Sequence, residues 1–184
     1  MRFCYADPPY IGQAKACYGG VRPDRPPQDV DHVAEVDHEL LIASLVEDFP
    51  DGWALSCSTP SLQQILSYCP PKVRVAAWVK PFCSFKPNVN PAYAWEPVVW
   101  MGGRKIGKER DTVRDWVAAN ITLQKGLCGA KPPAFCWWLF DLLGMDPGDE
   151  LVDLFPGSGA VTEAFEHWTR ANSREQVPLF GVAG

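Results

Sequence analysis

The chain has no surplus of positive charge: 17 Lys and Arg stand against 22 Asp and Glu, a formal net charge of −5. That excludes a general basic coat for nucleic acid, so any such contact must come from a local patch. Histidine is scarce, with only three, and none stands at metal-ligand spacing with the others or with the cysteines. The seven cysteines (Cys4, Cys17, Cys57, Cys69, Cys83, Cys128 and Cys136) contain no CxxC pair. A zinc ribbon and a thioredoxin-like redox motif are therefore excluded. An odd count with no leader-like N-terminus implies buried free thiols in a reducing cytoplasm, and no metal. No apolar run reaches membrane-spanning length; the longest, Ala134 to Met145, is broken by Asp141 and Gly144. What is abundant is proline, 18 residues, and tryptophan, 8 residues, in a chain of 184 that is 47% hydrophobic. This is the profile of one globular domain over residues 1–184, rich in fixed turns and large packed surfaces.

Apolar periodicity predicts strands over Arg2–Ala6, Trp53–Cys57, Val73–Val79, Pro97–Met101, Glu150–Leu154 and Val177–Val182. Helices are predicted over Val36–Phe49, Ser61–Cys69, Ala134–Leu143 and Val161–Arg170. Residues 11–30 and 81–130 read largely as loops that face a substrate. Strands alternating with helices imply an α/β fold with a doubly wound, mostly parallel sheet. In such sheets ligands sit outside the carboxyl ends of the strands. Two motifs fall there.

The first is Asp7-Pro8-Pro9-Tyr10. Two prolines remove two backbone donors and hold the preceding residue extended. The tip of the strand is left as a surface of acceptors, the Asp7 carboxylate and nearby carbonyls. Such a surface suits a planar –NH2 group, and Tyr10 adds a flat face for a ring. Acceptors on both N–H bonds would draw an exocyclic amine of a nucleobase toward tetrahedral geometry and free its lone pair for attack on a methyl group. Positioning and electrostatics then supply most of the rate. The second motif is Asp153-Leu154-Phe155-Pro156-Gly157-Ser158-Gly159, between a strand and a helix. Its glycines permit close backbone approach. The following helix offers free N–H groups to a carboxylate such as that of an amino-acid moiety. Ser158 and Thr162 offer hydroxyls, and Asp153 an acceptor for an ammonium group. A phosphate loop and a full dinucleotide fingerprint are both absent.

Together these motifs resemble the amino-directed DNA methyltransferases: Asp7-Pro8-Pro9-Tyr10 their catalytic tetrapeptide, Asp153 to Gly159 their S-adenosylmethionine loop. The order, catalytic motif first and cofactor loop last, resembles the circularly permuted members, and the small size resembles enzymes encoded in actinobacterial genomes and their phages. Ala76-Ala77-Trp78-Val79-Lys80, Trp95-Glu96 to Gly103, and Lys131-Pro132 also resemble family segments, in family order. The resemblance implies a Rossmann-like class I methyltransferase fold, permuted and abbreviated, with S-adenosylmethionine as cofactor and DNA as partner. It implies transfer to adenine N6, with RNA adenine N6 and DNA cytosine N4 as alternatives. A non-catalytic module that holds nucleic acid or a partner chain is a further alternative. By the same resemblance, Asp7, Pro8, Pro9 and Tyr10 are catalytic. Asp153, Phe155, Gly157, Ser158, Gly159, Thr162, Lys131 and Pro132 bind the cofactor. Two family features have no counterpart: an acidic residue beyond the next strand for the cofactor ribose, where Glu163 is the nearest substitute, and a separate target-recognition domain. A homodimer would compensate for the second.

Arg104, Lys105, Lys108, Arg110 and Arg114 form the best basic patch for phosphate contacts, with Lys15, Arg22 and Arg25 a second. Trp78, Trp95, Trp100, Trp137 and Trp138 are read mostly as core.

Overall fold

The computed structural model describes residues 1–13, 35–82, 89–105, 107, 108, 110–121 and 130–175. Six strands form one sheet: β1 (Arg2–Ala6), β2 (Gly52–Ser56), β3 (Arg74–Val79), β4 (Trp95–Gly102), β5 (Trp116–Ala118) and β6 (Glu150–Asp153). Their spatial order is β5-β3-β4-β2-β1-β6. Strand β1 pairs in parallel with β2 and β6, and β3 with β5, while β4 runs antiparallel to β2 and β3. Four helices cover the sheet: α1 (His38–Asp48), α2 (Leu62–Tyr68), α3 (Pro133–Leu142) and α4 (Ala160–Glu175).

Side-chain alternation along the strands divides the core in two. Phe3 and Tyr5 of β1, Ala54 of β2, Trp78 of β3 and Val98 of β4 pack on one face against Phe135, Leu139 and Phe140 of α3 and Val161 and Trp168 of α4. Cys4 and Ala6, Trp53 and Leu55, and Val99 pack on the other face against Ile42 and Leu45 of α1 and Ile65 of α2. Both faces of β1 and β2 are therefore covered, which is why they read as continuous apolar runs. This is the doubly wound α/β architecture expected from the sequence.

Local chemistry sets the helix starts. The Asp37 carboxylate accepts from the backbone N–H groups of Glu39 and Leu40, both at 3.1 Å, and caps α1. Pro132 precedes α3 in extended conformation and Pro133 occupies its first turn, where no N–H is needed. At the amino edge β2 and β4 approach so closely that a Cβ on Gly102 (φ +81°) would lie 2.7 Å from the Gly52 Cα.

Several expectations need adjusting. The strand expected at Pro97 begins at Trp95, because pairing with β3 continues through Trp78↔Glu96 and Val79↔Trp95. Strand β5 falls where no element was expected; its three residues sit among charged neighbours and carry no readable period. Of the five tryptophans read mostly as core, Trp78 and Trp138 are buried, but Trp95 is 40% exposed and Trp137 44%. Trp95 lies at the end of β4 and Trp137 on the outer side of α3. Cys4, Cys57, Cys69 and Cys136 are free, and the first, second and fourth are buried. The expected strand at 177–182, residues 14–34 with Lys15, Arg22 and Arg25, and Cys17, Cys83 and Cys128 lie outside the described residues. Among the described residues no helix is long and apolar enough to cross a membrane.

Candidate active site

Strands β1 and β6 are parallel neighbours, with Tyr5 in register with Asp153. Between β1 and β2 the chain forms α1, which covers one face; α3 and α4, which flank β6, cover the opposite face. The carboxyl ends of β1 and β6 therefore bracket the point where the winding reverses, the usual crevice for ligands in such sheets. Asp7 follows the first strand and Asp153 closes the last. The fold thus brings together two motifs that lie at opposite ends of the sequence.

Asp7 does not stand alone. The Lys131 ammonium lies 2.9 Å from its Oδ1 and 2.8 Å from its Oδ2. It also lies 3.6 Å from Oε2 of Glu96. Glu96 in turn accepts from the Tyr10 hydroxyl at 3.0 Å and is ion-paired with Lys80 through its other oxygen. Lys131 is almost sealed, with 4% of its side chain exposed, against 22% for Asp7 and 18% for Glu96. The Trp78 ring lies beneath both ammonium groups, 4.6 Å from Lys80 and 5.4 Å from Lys131. Two carboxylates and two ammoniums thus form a neutral cluster at the carboxyl ends of β1, β3 and the start of β4.

Burial pushes Asp7 above the ordinary carboxylate range, and Lys131 pulls it part of the way back. Burial works against the charge on Lys131 but is outweighed by Asp7 and Glu96, which hold it above an ordinary lysine. The same two lysines overcome burial at Glu96 and hold it below an ordinary glutamate. Each member of the cluster faces a counter-charge at close range. Burial pushes the Tyr10 phenol well up, so it remains a hydrogen-bond donor.

On the other side of the crevice, Asp153 Oδ1 accepts from the Phe155 backbone N–H at 3.3 Å. Among the described residues its Oδ2 is buried without a hydrogen-bond partner, although the nearby Thr162 hydroxyl favours the charged form of the group. Burial pushes this carboxyl up too. The turn that follows is open: Gly157 (φ +50°) and Gly159 (φ +76°) take left-handed conformations, and among the described residues, its chain neighbours aside, nothing lies within 4 Å of where a Cβ on Gly159 would sit. Ser158 and Thr162 are exposed beside it, and Phe155 is half-buried. An unsatisfied buried carboxylate oxygen next to an open, glycine-lined helix start fits a ligand that carries both an ammonium and a carboxylate.

A cleft of about 400 Å³ adjoins the same edge, lined by residues that include Thr59, Asn90, Tyr93 and Trp95. Residues 89–93 and Trp95, within the 81–130 segment, supply most of this lining.

The structure treats the remaining expected residues differently. Lys131, grouped with the cofactor loop in the sequence, reaches Asp7 instead. The 104–114 segment follows the end of β4, which pairs with the start of β2, so it lies at the amino edge of the sheet. That is the edge away from Asp7. There Arg104 donates to both oxygens of Asp149 at 2.7 and 2.8 Å and to the Gly144 carbonyl at 3.1 Å, and it pairs with Asp146 at 3.0 Å. Arg110 also pairs with Asp146. Both guanidiniums are thus spent within the chain, while Lys105, Lys108 and Arg114 remain exposed. Lys80 and Glu96, quoted in the sequence only within segments of family resemblance, tie Tyr10 into the Asp7–Lys131 cluster. Their signal was a charged residue at a strand end beside a tryptophan, Trp78-Val79-Lys80 and Trp95-Glu96.

No family model matches the chain, and no curated protein matches it. Among solved structures it is similar to M1.HpyAVI in complex with SAM, with a TM-score of 0.58, 16% identity, and coverage of 92% of this chain and 78% of that one. It is also similar to M1.HpyAVI alone, with a TM-score of 0.52, 14% identity, and coverage of 92% and 76%. At such identities the likeness establishes a shared fold.

Proposed function

We propose that this chain is an S-adenosylmethionine-dependent methyltransferase acting on the N6 amine of adenine in DNA. The observation that carries the reading is one juxtaposition. The Asp7-Pro8-Pro9-Tyr10 acceptor edge and the Asp153–Gly159 turn, with its unpartnered carboxylate oxygen, face one crevice from adjacent strands. Two further facts support it: a neighbour of the same fold is solved with SAM bound, and β6, the last described strand, pairs with β1, the first. The second puts the two motifs side by side whichever comes first in the sequence.

In this reading Asp153 Oδ2 receives the cofactor's ammonium group, and the start of α4 with Ser158 and Thr162 receives its carboxylate. Phe155, Gly157 and Gly159 line the cradle, with Pro132 beside it. S-adenosylmethionine supplies an electrophilic methyl group on a sulfonium. Asp7 and the Pro8 carbonyl accept the two N–H bonds of the target amine and aim its lone pair. Tyr10, tethered by Glu96, gives the face on which a flipped base stacks, and the Tyr93–Trp95 cleft gives room for it. Transfer would form the N–CH3 bond as the S–CH3 bond breaks, its electron pair staying on sulfur to leave S-adenosylhomocysteine. The nitrogen, positive on methylation, would then shed one proton toward the Asp7 carboxylate and solvent. Lys15 is the cation proposed for phosphate contact beside the flipped base; Lys105, Lys108 and Arg114, at the opposite edge of the sheet, are proposed only for phosphates remote from it.

Calorimetric titration with S-adenosylmethionine, followed by modification-sensitive sequencing of DNA and RNA from cells expressing the protein, tests this reading. N6-methyladenine at defined DNA sites is the expected result. N4-methylcytosine or a mark confined to RNA would redirect the substrate. Absence of both cofactor binding and any base mark would overturn the reading.

A further inference from the structure

The Asp7 carboxylate is the group that must hold the target amine, yet both of its oxygens are engaged by the ammonium of Lys131, at 2.9 and 2.8 Å. Two consequences follow. An arriving –NH2 meets a site already filled by a stronger nitrogen donor. As the methyl group transfers, the amine nitrogen becomes positive beside a second positive nitrogen on the same carboxylate, which opposes the reaction.

The cluster supplies an exit. Glu96 Oε2 lies 3.6 Å from the Lys131 ammonium. A movement of less than about 1 Å would bring it to charge-assisted hydrogen-bond distance. Glu96 is held in place by Lys80 and by the Tyr10 hydroxyl, so the acceptor need not move. The lysine has a four-carbon stem and a compact charge, which permits such travel. The Trp78 and Phe135 rings, 5.4 and 5.9 Å away, flank its ammonium. With 4% of its side chain exposed, it has no comparable route to solvent.

We propose that Lys131 is a positioning residue that stands in for the target amine on Asp7 and is handed to Glu96 when the amine arrives. The inference rests on the methyltransferase reading. In the substrate-free protein, Lys131 keeps the buried Asp7 ionised and correctly aimed. With the base in place, the ion pair Lys131–Glu96 replaces Lys131–Asp7, and Asp7 is left as an anion facing the nitrogen that becomes positive. Net charge in the cluster is unchanged by the exchange, which keeps its cost low.

The test is single-turnover transfer of labelled methyl from S-adenosylmethionine to unmethylated genomic DNA by the full chain. Glu96→Gln keeps the acceptor for Tyr10 but removes the charge that receives Lys131, so transfer should fall by at least roughly tenfold. Adding Lys131→Gln to that variant should recover activity by at least about threefold, because nothing then holds Asp7 against the amine. Lys131→Arg should be slower than Lys131→Gln, since a guanidinium grips a carboxylate through two parallel bonds and does not let go. A plain structural ion pair predicts the reverse on both counts. A double variant no faster than Glu96→Gln, or Lys131→Arg outperforming Lys131→Gln, would overturn the proposal. Cofactor affinity and circular dichroism check folding; if Lys131→Arg does not fold, the double variant alone decides. A wild-type chain that transfers no methyl to nucleic acid removes the underlying reading instead, and the proposal with it.

Discussion

The sheet carries a charge cluster at each end, built from the same residue types and opposite in design. At the amino edge, Asp149 is 4% exposed and accepts from Arg104, the N-terminal ammonium and the Asp146 backbone N–H. At the carboxyl edge, among the described residues, Asp7 has one ion-pair partner, Lys131, which also has Glu96 within reach, and Asp153 keeps a buried oxygen with no hydrogen-bond partner. Asp149 is enclosed by donors from three directions, and such closure stabilises. The carboxyl-edge groups hold acceptor capacity in reserve, at a cost in stability, and a reserve of that kind marks the place where a ligand completes the structure.

The largest expected effect tests the open end. Asp7→Ala should lower methyl transfer by about 10²-fold or more, with cofactor affinity changed only a few-fold, as measured by single-turnover transfer and calorimetry. Near-full activity would remove Asp7 from the mechanism. Asp153→Asn should weaken S-adenosylmethionine binding by about 10- to 100-fold, the loss of one charged hydrogen bond. Unchanged affinity would mean that the unpartnered oxygen is not the cofactor's contact.

The closed end should behave in the opposite manner. Arg104→Ala should cost about 1–2 kcal/mol, read as a drop of several degrees in Tm, and leave transfer to DNA within about twofold. A loss of DNA affinity with intact stability would return Arg104 to the phosphate-contact role. The pH dependence is smaller. Burial disfavours the Asp149 charge, but the N-terminal ammonium, Arg104 and the Asp146 amide outweigh it and hold the group below its ordinary range. Its contribution is therefore present above the unfolded value of about 3.9 and is lost as pH falls through the lower folded value. Chemical denaturation from pH 6 down to 3 should show that loss, and Arg104→Ala should blunt it. Smallest of all, Lys105→Ala with Lys108→Ala should change stability by less than about 0.5 kcal/mol. If both meet phosphate, the salt slope of DNA binding should fall by about two.

Much of the fold was legible in the sequence because the central strands are apolar on both faces and the helices carry their own start signals. Arg2–Ala6 and Gly52–Ser56 could not be mistaken for loops, and Asp37 and Pro132-Pro133 announce α1 and α3. Strand β5 was not legible, since its three residues owe their conformation to pairing with β3 rather than to any pattern of their own. The basic patch misled for a related reason. Arg104 looks like surface charge until Asp146 and Asp149, more than forty residues later, are folded against it.

The doubly wound α/β class and the two strand-end motifs can be read from the residues alone, because periodicity, proline pairs and glycine turns act over a few residues. What those motifs face is set by how the strands assemble. That Lys131 meets Asp7 across 124 residues, that Glu96 ties Tyr10 to Lys80, and that Arg104 lies at the opposite edge all follow from strand order and direction. The partner of a charge is chosen by sheet topology, and no local spacing records it.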